Sequence, residues 1–553
     1  SIYLNIFIIS ITMFFLSSCN GVDKSSFQQL SNAFDKWFLS HNPSLSSSQN
    51  PKHFYIKNKI VNSKYIGESI LDLKRFKLEL NQINSMNLSK KNIYKFDAIL
   101  KEIDSQLYNY EIINPYQNDP LVYINYAKEN LLNILSDNDL SKTNKSYYLL
   151  SLLDYLPIYL EKSKKQLLYA DEYSINKSKI SIEELINLLD VSINFMNVGI
   201  DLELINKKIN KNKEILKNYN IWLNEKTSKI SFEPTDNEKN IYNDYINKIE
   251  NKYNNFNLFE SLESSIVNLH NDIFILSLPI YLQKNDEPIW VDKDDTLEVI
   301  NYVINERIKG NTPKDVESKM IEFDSKYSMI KSFLDSLNID LINDTNIYTF
   351  PQEDFLFDFQ IDKIEISTSF NSLNMHILVP NDDKYIYNSK YSLFIAYHVL
   401  PRIFYKNSIR DKVIFENKNI SYAWGKLLSN IMIENGFSLY DDNFELYHNV
   451  ELLRDFVDIL LKKSIINNNL SEIELIDLLQ NLSFYTEEQA KTHMNNLRFS
   501  NINNIEKYLH YIYLNNLYDL NCVINKRKSN KYFIKLLFEN GFIPIHNYNS
   551  ILN

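Results

Sequence analysis

Apolar residues return every three or four positions along most of this chain, and that period constrains its fold more than any other feature. Ile205, Ile209, Leu216, Tyr219 and Leu223 keep it over a long run, which lays a continuous apolar stripe along one side of an α-helix. Phe27, Leu30, Phe34, Trp37 and Phe38 share one face of a helix that starts near Ser25 or Ser26, both good N-cap residues. The stretches from Asn81 to Leu107, Leu121 to Leu135, Lys145 to Gln166 and Asp244 to Gln283 carry similar patterns. Helix limits are expected at Pro115, Pro120, Pro157, Pro234, Pro279, Pro288 and Pro313. Between Phe359 and Pro380 the period shortens toward alternation, with Ile364 and Ile366, then Met375, Ile377 and Val379, around Phe370-Asn371-Ser372. That is a β-hairpin pattern. The expected fold is mainly α: a large multi-helix domain with a small β-hairpin.

The 553 residues hold 44% apolar side chains, enough for a large core. Only seven are glycine, and no two lie within six positions of each other. A phosphate-binding loop, a dinucleotide fingerprint and a nucleophile elbow are therefore excluded as sequence motifs. The net charge of −11 argues against nucleic acid as a partner. The two cysteines, Cys19 and Cys522, leave no cysteine metal cluster, and Cys522 reads as a small core residue.

The N-terminal segment is apolar from Ile2 to Leu16, broken only by Asn5, Ser10 and Thr12, and runs into Leu16-Ser17-Ser18-Cys19. That length suits a secretory signal core better than a bilayer span. The ending resembles the lipobox of bacterial lipoproteins. The resemblance implies a signal peptide over 1–18, diacylglycerol on Cys19 and a short tether over 19–24. It places the body, 25–553, outside the cytoplasm on the cell envelope, with the membrane as partner through the lipid. Asn20 stands where an inner-membrane retention aspartate is often found, which favours the outer membrane if the organism has one.

Several segments in the body also fall in a recognisable order. Leu88-Ser89, Lys95-Phe96-Asp97 and Asp119-Pro120-Leu121-Val122-Tyr123 come early, followed by Leu156-Pro157-Ile158-Tyr159. The hairpin ends in Ile377-Leu378-Val379-Pro380, and Tyr397-His398-Val399-Leu400-Pro401-Arg402-Ile403-Phe404 follows. Tyr422-Ala423-Trp424, Leu453-Arg454-Asp455, Arg498-Phe499 with Tyr508, and Gly541-Phe542-Ile543-Pro544 complete the series. This order resembles the bacterial "domain of unknown function 885" family of helical, secreted or lipid-anchored proteins, which are regarded as zinc-peptidase-like. The likeness runs from Phe34 to Leu552, with an N-terminal helical part over 25–340 and a peptidase-like part over 341–553.

The family's active-site helix carries His-Glu, two residues, then Pro-Gly-His-His, a cluster that can hold zinc and activate a bound water. Anchored on Pro401, those positions are Tyr397, His398, Ile403 and Phe404, and sliding by one residue puts Val399 where the glutamate belongs. The family's Glu-Gly-Trp becomes Tyr422-Ala423-Trp424, and its late Asp and His become Leu461 and Ile465. Apolar and aromatic replacements offer zinc no ligand set, so no metal and no cofactor is expected. The resemblance then implies a peptidase-like protein without its catalytic residues, binding a peptide or protein partner. The alternative is an active hydrolase with a rearranged site around His398, Tyr422 and Arg498.

Nine histidines occur and none makes an i, i+4 pair. A lone imidazole such as His398 is more often a hydrogen-bonded core or cleft residue than a ligand. Tyr397, Tyr422, Arg498 and Tyr508 are candidates to line a pocket, with Arg498 suited to a carboxylate. Asp441-Asp442 and Glu487-Glu488 read as solvated caps. Lys526-Arg527-Lys528 reads as a solvated loop, because three charges fall below a lipid-binding cluster.

Overall fold

The structure is a computed structural model that describes residues 25–38, 40–41, 63–136, 141–168, 170, 172–193, 202–225, 239–240, 242–247, 258–285, 293–310, 316–339, 345–351, 365–369, 372–379, 388–401, 418–467, 470–499, 503–524 and 529–540. Cys19, Ile403, Phe404 and the run 526–528 lie outside them, as does Ile364. The chain is mainly α-helical, as the apolar period implies, and no helix among the described residues is long and apolar enough to cross a membrane.

Helices α1 (25–38), α2 (Ser63–Asn81) and α3 (Lys90–Tyr108) enclose a first core. The aromatic stripe of α1 lies inside it, with the Phe34 ring edge-on to Phe76 at 5.4 Å. Ser89 caps α3 by accepting the Asn92 N–H. After a π turn at Asn109–Ile113, left-handed Asn114 reverses the chain into Pro115, whose fixed φ starts the short α4 (Pro115–Asn118). A second core lies among α5 (Leu121–Ser136), α6 (Lys142–Gln166), α7 (Glu172–Ser192) and α8 (Leu202–Glu225). The predicted stripe Ile205, Ile209, Leu216, Tyr219 and Leu223 is buried there throughout.

Two prolines expected to mark helix limits lie inside helices instead. Pro157 is within α6, and Pro279 is within α9 (Leu258–Tyr281). At Pro157 the structure shows what permits this. A proline has no N–H for the carbonyl four residues back, here Leu153. Asn212, buried on α8, donates its Nδ2 to that oxygen at 2.9 Å.

The third core runs in sequence from Tyr242 to Leu537. It takes in α9, α10 (Lys293–Gly310), α11 (Val316–Ser336) and the helices that follow the sheet. The sheet has β1 (Thr345–Pro351), β2 (Glu365–Ser369) and β3 (Ser372–Val379) in the order β1-β3-β2. The expected hairpin is β2–β3, antiparallel with Ile366 opposite Met375. The parallel strand β1, with Tyr348 opposite His376, was not anticipated.

After the sheet come α12 (Asn388–Phe394) and a π turn at Ile395–Val399. Helices α13 (Lys418–Glu434) and α14 (Phe444–Ile466) follow, then α15 (Glu472–Ser483), α16 (Glu487–Phe499) and α17 (Asn503–Tyr518). A third π turn at Asp519–Ile524 leads to α18 (Asn530–Asn540). Gly436, at φ +90°, ends α13 as its C-cap position requires. Asp441 corrects the reading of its doublet as a solvated cap. It is buried, and its Oδ2 accepts from Ser392 Oγ at 2.7 Å and from Lys326 Nζ at 3.0 Å, which ties α11, α12 and the start of α14 together. Glu487 does sit in solvent, paired with Lys491 one turn on. Cys522 is partly buried against the third core.

Candidate functional site

Four helical segments meet where the peptidase-like motif was expected: the Ile395–Val399 π turn, α13, α14 and α17. The wide turn is closed by the Leu400 N–H donating to the Ile395 carbonyl, five residues back. Pro401 follows it, buried, and has no N–H to offer the Tyr397 carbonyl. Against this turn lies Gly425. A Cβ at that position would stand 2.6 Å from Tyr397 Cα and 2.7 Å from its carbonyl oxygen, so only glycine lets the two backbones touch.

Helix α13 then presents Tyr422, Lys426 and Asn430 at successive four-residue steps, on one face. The Lys426 side chain is almost wholly buried. Its ammonium lies 3.8 Å from the centre of the Tyr397 ring and 3.0 Å from Asp455 Oδ2 on α14. Tyr422 donates its hydroxyl to the same carboxylate oxygen, and its ring centre is 5.1 Å from the ammonium. Burial pulls the Lys426 ammonium below its usual range, while the charges of Asp455 and Glu451 oppose the shift. Burial, reinforced by the charge of Asp455, holds the Tyr422 phenol far above its usual range, so it remains a donor.

A second polar chain starts from Tyr397. Its hydroxyl donates to His448 Nδ1 at 2.6 Å. His448 Nε2 meets Asn430 Oδ1 at 2.6 Å, an atom that only accepts, so Nε2 carries the proton. Asn430 Nδ2 passes on to Tyr511 Oη at 2.7 Å and Asn515 Oδ1 at 2.8 Å, and Asn515 Nδ2 to Asp519 Oδ2 at 3.2 Å. Burial, helped by the Lys426 charge, keeps His448 far below the usual imidazole range and therefore neutral. With the imidazole engaged at both nitrogens, this chain of hydrogen bonds fastens the π turn, α13, α14 and α17 together.

These residues do not fit zinc. The cation at their centre is the Lys426 ammonium, the one imidazole is engaged at both nitrogens, and Tyr397 and Tyr422 direct their hydroxyls elsewhere. Among the described residues no group of three or more His, Cys, Asp or Glu is placed to hold a metal ion. A carboxylate–imidazole pair does lie nearby, Asp458 Oδ1 to His493 Nε2 at 2.7 Å, with the Tyr485 ring 4.9 Å from the imidazole.

The structure thus brings several expected residues together. Tyr397 and Tyr422 share Lys426, while Tyr422 and Tyr508 line one small notch with Asp455, Phe456, Ile459 and Lys507. Trp424 is buried in the core beside them. His398 turns to the rings of Phe394 at 5.3 Å and Tyr397 at 6.3 Å. Arg498 belongs to α16, with its side chain outside the described residues. Lys426, His448 and Asp455 were missed as site residues. The available signal was the four-residue spacing of Tyr422, Lys426 and Asn430 along α13.

No family model and no curated protein matches the sequence. In three dimensions the chain is similar to a solved structure described as a candidate lipoprotein of unknown function from Shewanella oneidensis. The TM-score is 0.71 and the identity 15%, over 95% of this chain and 99% of that one. It is also similar to the crystal structure of a candidate lipoprotein from Colwellia psychrerythraea, with a TM-score of 0.70 and 10% identity over 96% of this chain and 98% of that one. At such identities the likeness establishes a shared fold across almost the whole length of each chain.

Proposed function

We propose that this chain is a lipid-anchored protein of the bacterial cell envelope, held through Cys19. Its helical body is of zinc-peptidase-like descent, has given up metal chemistry and holds a peptide or protein partner. The observation that carries this reading is Lys426. Its ammonium sits between Tyr397 and Tyr422, the two positions where the resemblance places a zinc-binding histidine and glutamate. A fixed positive charge there repels a metal cation and satisfies the same carboxylate that a cation would. The lipoprotein part is supported by the Leu16-Ser17-Ser18-Cys19 ending and by two structural neighbours that are themselves described as candidate lipoproteins. The notch beside Asp455, whose side chain is 41% exposed, is the open end of the polar cluster and the place for a partner to make contact.

The test is elemental analysis of the mature polypeptide from Asn20 after exposure to zinc and exhaustive dialysis. The reading expects zinc far below one per chain, and Lys426→Met does not restore it because the ligands are missing as well. Stoichiometric zinc overturns it. The anchor is tested by fatty-acid labelling in a bacterial host, where Cys19→Ser abolishes incorporation.

A further inference from the structure

The notch where α13, α14 and α17 meet holds few polar atoms, and most of them are already engaged. Tyr422 gives its hydroxyl to Asp455 Oδ2, which also takes the Lys426 ammonium at 3.0 Å. Tyr508 turns its hydroxyl to Ser261 Oγ on α9, 3.1 Å away. Two groups are left over among the described residues. Asp455 makes its contacts through Oδ2 and keeps Oδ1 open, with the side chain 41% exposed. The Lys507 ammonium lies 5.3 Å from the centre of the Tyr422 ring and has no carboxylate partner among the described residues. Phe456 and Ile459, both buried, supply the apolar lining.

We infer that this notch takes the C-terminal residue of a peptide, with the terminal carboxylate on Lys507 Nζ and the last amide N–H on Asp455 Oδ1. Charge selects this occupant. Lys426 already balances Asp455, so Oδ1 remains as an acceptor within a neutral pair, while Lys507 is a positive charge without a counterpart. The complementary ligand brings one negative charge and a neutral donor close to it. The last residue of a peptide carries that pair on a single α-carbon. A free amino acid adds an ammonium beside Lys507 and leaves the surplus charge in place. An inorganic anion sets its oxygens against Asp455 Oδ1 and has no N–H for it. A mid-chain segment has the N–H and lacks the charge. Contact with the apolar lining drives water from both polar groups, which strengthens a charge-assisted hydrogen bond. The inference rests on the proposed function for its peptide and adds which end of that peptide is held.

The test is equilibrium dialysis of the mature polypeptide from Asn20 against two random libraries of N-acetylated pentapeptides, with retention read by mass spectrometry. One library ends in a free carboxyl and the other in an amide. The free-acid library is expected to be retained at least about tenfold more than the amidated one, the worth of one charge-assisted contact. Lys507→Gln lowers that retention by a similar factor, and Lys507→Arg keeps most of it. Both variants retain the helical circular dichroism of the parent, because Lys507 holds no carboxylate there. Equal retention of the two libraries overturns the inference and leaves a peptide-holding protein standing. Free-acid retention that ignores Lys507→Gln overturns it in the same way. Alanine competing as well as N-acetylalanine overturns it in favour of a free amino acid. Retention of neither library overturns it together with the peptide form of the proposed function, whose metal-free part is tested by zinc content alone.

Discussion

Asn212 repairs the helix that Pro157 breaks. The proline leaves the Leu153 carbonyl without its backbone donor, and the asparagine amide reaches across from the neighbouring helix to bind that oxygen at 2.9 Å. Asn212→Leu is expected to destabilise the protein by about 1–3 kcal/mol, the cost of a buried polar group left unpaired. Pro157→Ala restores the local donor and should shrink that penalty. Denaturant midpoints of the two single variants and the double variant measure the coupling, and strict additivity would refute it.

At Lys426 and Asp455 the two partners are unequally buried, so their removal has unequal consequences. Asp455→Asn strands an ammonium in the core and is expected to cost about 3–5 kcal/mol. Lys426→Met leaves a carboxylate that still receives the Tyr422 hydroxyl and reaches solvent, and costs less. Adding Lys426→Met to Asp455→Asn should recover part of the loss. Urea unfolding of the four proteins decides the order, and equal costs for the single variants would contradict it.

His448 should mark the acid limb of stability. Burial holds its folded pKa far below the ordinary 6.5, so at pH values between the two the unfolded chain binds the extra proton. Its contribution is therefore complete above pH 6.5 and is lost as pH falls, at up to about 1.4 kcal/mol per pH unit. His448→Gln removes the titration, so the stability gap between parent and variant should narrow steadily on acidification. A gap independent of pH would show that His448 is free to protonate in the folded protein.

Two glycines make a matched pair. At Gly425 an added methyl meets the Tyr397 backbone, where nothing flexible can yield, and Gly425→Ala is expected to cost about 2 kcal/mol or more. At Gly67, inside α2, nothing lies within 4 Å of the same methyl. Gly67→Ala should stabilise by about 0.4–1 kcal/mol by narrowing the unfolded ensemble. Opposite shifts in melting temperature are the expected result.

The period of the apolar residues was sufficient to place most helices and the β2–β3 hairpin, because those elements are dictated by neighbours close in sequence. Strand β1 pairs in parallel with β3 across an intervening stretch, and no local pattern records such a partner. Pro157 misled for a similar reason, since the donor that makes it tolerable sits on another helix. Asp441 resembled a solvated cap until Lys326 and Ser392, distant in sequence, closed over it. In the candidate site, Tyr397, Tyr422 and Tyr508 were singled out in the sequence, and the structure places the first two against Lys426 and the last two on one notch. The residues that occupy its centre, Lys426 and His448, look like ordinary helix residues until four segments converge. A buried charge announces itself only through its partners.

The wide turn at Ile395–Val399 leaves a mark on how this chain can be compared with others. It holds one residue more than an α turn would, so every side chain beyond it is rotated by about 100° relative to those before it. The stretch from Asn388 to Pro401 therefore carries two phases, and Tyr397 lies at the seam between them. Any alignment that winds this stretch uniformly sets one half a residue out of step. Tyr397 and His398 stand at that step, as neighbouring marks on a vernier.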